Sequence, residues 1–287
     1  SINKPWTARA VASYVTGAHA LKFGYNWATV GQSRETFSPD APLIYRLNNG
    51  VPNRITQYAT PFTAFVDGVE HSLFAQERWT VGLLTLSGGL RYDYFSDTFP
   101  EQTIGPGNFV PNRNIVFQKR DGVKWHDIQP RVGLAYDVFG DGRTAVKASL
   151  NKYLSGDGSG GPFGIGMAPA NNMVGSTTRS WADANRDYVP NCDLTNPRAN
   201  GECGAMASQD FGSPLSVLSY DSDLTDGWGR RTYNWQFSTG VQHEILPRIS
   251  VGVDYWRTWF GNFVVVDHRG YDLSDFDEFS ITAPSDP

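Results

Sequence analysis

The chain has 287 residues, 18% of them charged, with 30 glycines, 14% aromatics and a formal net charge of −5. No run of about 18 apolar residues occurs, which excludes a transmembrane helix, and the acidic balance leaves no basic footprint for nucleic acid. The mean hydropathy of −0.39 is that of a soluble protein, but it also fits a membrane wall of strands, in which only alternate residues face lipid. The first ten residues, SINKPWTARA, have neither the basic nor the apolar stretch of a signal peptide.

Alternation with period two predicts eight strands, at 7–16, 19–30, 69–80, 83–96, 126–138, 143–154, 230–245 and 248–266. In the second, Leu21, Phe23, Tyr25 and Trp27 alternate with Lys22, Gly24, Asn26 and Ala28. In the fourth, Leu84, Leu86, Gly88, Leu90, Tyr92 and Tyr94 oppose Thr85, Ser87, Gly89, Arg91 and Asp93. The fifth sets Val132, Leu134, Tyr136 and Val138 against Arg131, Gly133, Ala135 and Asp137. The eighth sets Ile249, Val251, Val253 and Tyr255 against Ser250, Gly252 and Asp254. The apolar face ends in aromatics, as an interfacial girdle requires, with Trp6, Trp79, Trp125 and Trp256 as candidates, core packing in a soluble protein being the competing reading, and Leu86 expected near mid-membrane. The other face carries Lys22, Arg91, Asp93, Arg131, Asp137, Lys147, Glu244 and Asp254. So many ionisable groups suit a wet lumen better than a dry sandwich core.

The connections are of two kinds. Tight turns are expected at 16–19, 81–82, 139–143 (FGDGR) and 246–248 (LPR), and long loops at 31–68, 97–125 and 155–229. Short and long alternate strictly, as do the periplasmic turns and extracellular loops of an outer-membrane barrel. The segment 44–58, with Asn49-Gly50 at its centre, is expected as a hairpin within the first long loop. The fold class is therefore all-β, an antiparallel transmembrane β-barrel wall of about eight strands with long extracellular loops.

No catalytic constellation is found, so the chain is not expected to be an enzyme. The five histidines lack metal-ligand spacing, and GDGSGGPFGIG (156–166) lacks the Lys-Ser/Thr ending of a phosphate loop. In the longest loop, Cys192 and Cys203 suit a disulfide in an oxidising compartment, with two reduced thiols as the alternative. Asp183, Asn185 and Asp187 have the 1, 3, 5 spacing of a calcium loop, and Asp193 stands close by. The pattern departs at Tyr188, where an EF-hand has glycine, and at Leu194, where it has glutamate, so a solvated acidic turn is the competing reading. Calcium is the one cofactor considered; ligand-binding residues are not assigned.

Three stretches, HSLFAQERWTVGLLTLSGGLRYDYF (71–95), QPRVGLAYDVFGDGRTAVKASLNKYL (129–154) and NWQFSTGVQHEILPRISVGVDYW (234–256), resemble the barrel of TonB-dependent outer-membrane receptors. Gln76, Glu77 and Trp79 followed by Leu84 to Asp93 match an element common in that family, and the large Oar-like members with a carboxypeptidase-regulatory-like extension are the nearest in kind. The resemblance implies a 22-stranded wall with a plugged lumen. Residues 1–287 would then be a partial barrel domain, an internal fragment without the plug. It further implies a bacterial outer-membrane location, lipid contact, coupling to the TonB complex through the parent's plug domain, and uptake of a ligand too large for porins. A small structural or adhesive barrel and a soluble secreted β-rich binding module are the alternatives.

Overall fold

The computed structural model describes residues 2–3, 5–36, 43–156, 163–215 and 218–282. Eight long strands form one antiparallel sheet, each paired with its neighbours in sequence: β1 (Thr7–Thr16), β2 (His19–Thr36), β3 (Phe62–Val81), β4 (Leu84–Phe99), β5 (Arg120–Asp137), β6 (Thr144–Leu154), β7 (Tyr233–Leu246) and β8 (Ile249–Gly261). Ile2–Asn3 continues the line of β1 along β2, and Asp226–Trp228 adds in parallel to β5. Among the described residues β1 pairs only with β2, and β8 only with β7, so both are sheet edges.

The turn chemistry explains the hairpins. Gly17 and Gly82, each the first of two loop residues, have φ of 55° and 56°, a left-handed conformation that glycine adopts without strain. In FGDGR, both Asp137 carboxylate oxygens accept backbone N–H bonds, from Gly140 and Gly142 at 3.0 and 2.8 Å. Because the sheet is an up-and-down meander, these turns and the one at Pro247-Arg248 lie at one end, and the long connections at the other.

Four strands, β2 to β5, run further toward the loop end than the alternation predicts, while β6 ends at Leu154 as expected and β7 begins at Tyr233 rather than residue 230. β2 ends at Thr36 rather than residue 30, and β3 begins at Phe62 rather than 69. At about 3.4 Å per residue, the 20 residues of β3 are roughly twice what a membrane crossing needs. The reason is a change of face. In β4 the apolar side chains stand on the outer face up to Tyr94, after which Phe95 and Phe99 are buried on the inner face while Ser96 and Thr98 stand outside. A strand reading that follows the outer face therefore sees the pattern stop where it has only changed sides. β8 is shorter than expected: Asn262, with φ of 56°, turns its amide back onto the Gly229 and Arg231 carbonyls.

Beyond the wall, Leu43–Asn48 and Val51–Tyr58 form the expected loop hairpin, with Asn49 and Gly50 at φ of 50° and 79°. Ser176–Ser180 from the longest loop adds a third strand to it. Residues 157–162 of the glycine cluster lie outside the described residues.

The outer face carries two aromatic belts. Toward the loop end, Trp27, His71, Tyr94 and His126 occupy one register row. Tyr25 and Tyr92 hydroxyls pair with the His71 and His126 rings at 2.7 and 2.8 Å, and His126 stacks on Trp228. Toward the turn end, His19 stacks on Trp79 and bonds to Glu77 at 2.5 Å. His71 and Trp79 are eight residues apart in β3; at about 3.4 Å per residue and a tilt near 40°, that is roughly 21 Å along the membrane normal, close to the ~25 Å apolar band of such walls. Leu73, Leu90 and Val132, between the belts, are 55%, 52% and 53% exposed. Leu86 shares the register row of Trp79 and so lies in the turn-end belt, while Leu90 holds the mid-band position. Two girdle candidates are corrected. Trp125 is 1% exposed in the inner-face core, and Trp256 lies on the inner face opposite Ser238. Trp6 is 73% exposed just before β1.

Candidate functional site

The site is the inner face with the loops folded over its outer half. Three layers follow one another up this face. Lowest is a polar stretch of small residues and cations: Lys22, Arg78, Arg131 and Lys147, set among Ser87, Gly89, Gly133 and Ser149. Above it Asp93 and Asp127, each 1% exposed, face one another across β4 and β5. Above these an apolar core joins Val66, Phe95, Phe99, Val123 and Trp125 of the wall to Phe163, Ile165, Met167, Ala168 and Ala170 of the longest loop.

The charged layer is almost fully paired, as burial requires. Arg91 donates to both Asp93 oxygens at 2.8 and 3.0 Å and to Ser72 at 2.7 Å, and Gln129 also donates to Asp93. Arg231, at the end of the long loop, donates to Asp127 at 2.7 Å with side-chain exposures of 8% and 0%. Its guanidinium carbon also lies 5.6 Å from the Phe95 and Trp125 ring centroids, a cation–π arrangement that replaces part of the lost hydration. Trp125 Nε1 donates to the Leu224 carbonyl at 2.8 Å. The loop is thus tied to the wall by packing, an ion pair and hydrogen bonds together.

The outermost part is built around Arg179. This side chain is 2% exposed and donates to the carbonyls of Gly204, Asn196 and Arg198. A disulfide joins Cys192 to Cys203 with Cα atoms 5.9 Å apart, and Cys203 packs with Ile55 and Trp181. Arg113 ties the neighbouring loops together through the carbonyls of Ala59, Pro61 and Gly105. Neither arginine stood out in the sequence, because their partners are backbone carbonyls that only the folded loops bring near.

Three of the four acidic-loop candidates share one turn, where the Asp187 N–H donates to both Asp183 and Asn185, and Asp193 lies apart from them. Asp183 accepts from the backbone N–H of Asp187 and Tyr188, and Asp187 accepts from Val189 N–H and from the amides of Asn185 and Asn191. Asp193 closes a different turn, onto Thr195 and Asn200. Among the described residues no three carboxylate, imidazole or thiol groups converge as metal ligands. The Val189 N–H and the Asn191 amide hold the Asp187 carboxyl below the usual carboxylate range, Thr195 does the same for Asp193, and the Ala184 and Asn191 N–H groups for Glu202. These oxygens accept the hydrogen bonds that fix the loop backbone.

An antiparallel wall with two aromatic belts, an apolar band between them and a charged inner face defines a membrane-spanning β-barrel protein. Residues 1–258 match the family described as the outer membrane beta barrel domain. The chain belongs to that family, and its place is the bacterial outer membrane. No curated protein matches it. With the family established, the inner face is the lumen side and the outer face meets lipid.

Proposed function

We propose that this chain is part of the wall of a TonB-dependent outer-membrane transporter that takes up a ligand too large for porins. The observation that carries the reading is the pair of open sheet edges, β1 and β8, on a wall whose loops are already folded inward. An unpaired edge is not tolerated in hydrocarbon, so two open edges among the described residues favour a wall that further strands complete. This argues for a large barrel and against the small adhesive one, as does the resemblance of the stretches at 71–95, 129–154 and 234–256. The plug and the segment that contacts TonB would be contributed by other parts of the parent polypeptide. The deep loop core suits a receptor that grips its ligand from outside, since a loop already folded loses less entropy on binding.

The test is binding of the purified full-length protein in detergent to the periplasmic C-terminal domain of TonB, followed by biolayer interferometry. Saturable binding is expected. No binding, together with unimpaired folding of the barrel, would overturn energy coupling and leave a passive outer-membrane wall protein.

A further inference from the structure

The lower inner face carries five cations outside any ion pair, with the anionic side chain of Asp254 bordering a hollow beside Lys147 on the β7–β8 side. Arg9, Lys22, Arg78, Arg131 and Lys147 come from β1, β2, β3, β5 and β6 and stand on the face that the register assigns to the lumen. Among the described residues none of the five has a carboxylate within ion-pair distance. Arg91, by contrast, is neutralised by Asp93 and Glu70. Arg9 lies 5.7 Å from the Phe74 ring centroid and Arg131 4.7 Å from that of Tyr153, contacts that hold each guanidinium by its face and leave its N–H edge free.

Small side chains open space beside these groups. Ser87, Gly89, Gly133 and Ser149 floor a hollow of about 450 Å³ that Lys22, Arg78 and Arg131 border. A second hollow, of about 580 Å³, continues it past Arg78 to Lys147. Lys22 and Arg78 are diagonal neighbours across β2 and β3, since Lys22 pairs with Gln76; such positions are roughly 7–8 Å apart, a span that two charged groups of one small molecule can bridge. Like charges gathered in a low-dielectric channel raise the local concentration of the opposite charge.

We propose that this face is a contact surface for a small solute bearing two or more phosphate or carboxylate groups as it passes through the lumen. The inference rests on membership of the outer-membrane barrel family; in a plugged transporter the solute would meet this face between wall and plug, and thiol accessibility tests that separately from TonB binding.

The experiment uses the full-length protein in open outer-membrane fragments, with Ser87→Cys placing a thiol in both hollows; Cys192 and Cys203 are bonded to each other, and this chain has no other cysteine. The anionic reagent methanethiosulfonate ethylsulfonate should label it about tenfold faster than the cationic trimethylammonium analogue, within the range of electrostatic steering. Citrate or inositol hexakisphosphate should protect the thiol, and myo-inositol should not. The preference should vanish with Arg78→Gln and Arg131→Gln together and reverse with the two Glu substitutions, while Arg143→Gln in the turn leaves it unchanged. Equal rates, or a faster cationic reagent, would overturn the proposal. So would a thiol that neither reagent reaches until the protein is denatured, because another segment would then cover the face.

Discussion

At the scale of single residues, the difference between the two faces makes the sharpest test. Leu90 lies midway between the belts on the lipid side, whereas Ser87 stands over the wet inner face. Leu90→Arg should cost about 2–4 kcal/mol of folding stability in bilayers, and Leu86→Arg, in the turn-end belt, about 0–1. Ser87→Arg should cost little. Urea titrations of the full-length protein folded into vesicles provide the measurement; equal penalties at 87 and 90 would contradict the assignment of faces. The buried Arg231–Asp127 pair makes a second test. Arg231→Met leaves Asp127 enclosed without its partner, which should destabilise the folded loop by about 3–5 kcal/mol, and Asp127→Leu added to it should restore most of that. Protease on intact cells should cut the loop in the single variant and spare it in the double one.

At the scale of elements, the extracellular turn between Asp183 and Cys203 combines a disulfide with carboxylates that accept backbone hydrogen bonds. Closing a loop with a sequence separation of 11 should stabilise by about 3 kcal/mol in the chain-entropy model. Asp187, Asp193 and Glu202 titrate below their unfolded values, which are about 4. Their contribution is therefore complete above that range and is lost as the pH falls through the lower folded-state values. Hydrogen exchange of residues 183–203 should be slow and unchanging from pH 7 to 5 once corrected for intrinsic rates, and faster once the pH falls below the ordinary carboxylate range. Reductant should speed it at every pH. A segment indifferent to both treatments would show that neither the carboxylates nor the bridge orders it.

At the scale of the whole molecule, the unpaired edges β1 and β8 decide behaviour in isolation. Expressed alone, residues 1–287 should aggregate or pair edge to edge rather than insert as a monomer. Semi-native electrophoresis provides the check. A heat-modifiable monomer made from this chain alone would favour the small-barrel alternative over a larger wall.

What the sequence determined by itself was the membrane wall. Eight alternating segments, four tight turns with glycine or proline in place and three long loops were enough to set strand order and direction, because a period of two and short hairpins are local properties of the chain. The hairpin at Asn49-Gly50 was legible for the same reason. The tertiary structure alone decided the upper half of the site. Whether Phe95, Phe99 and Trp125 meet lipid, water or protein depends on the loop folded against them, and alternation records only that a face is apolar. That is why Trp125, read as a girdle residue, lies buried in the core, and why β2 to β5 were expected to stop several residues early. Arg113, Arg179 and Arg231 were invisible for a related reason: a buried arginine is recognised by its partners, and theirs are carbonyls, aromatic rings and, 104 positions away, a carboxylate, brought near only by folding.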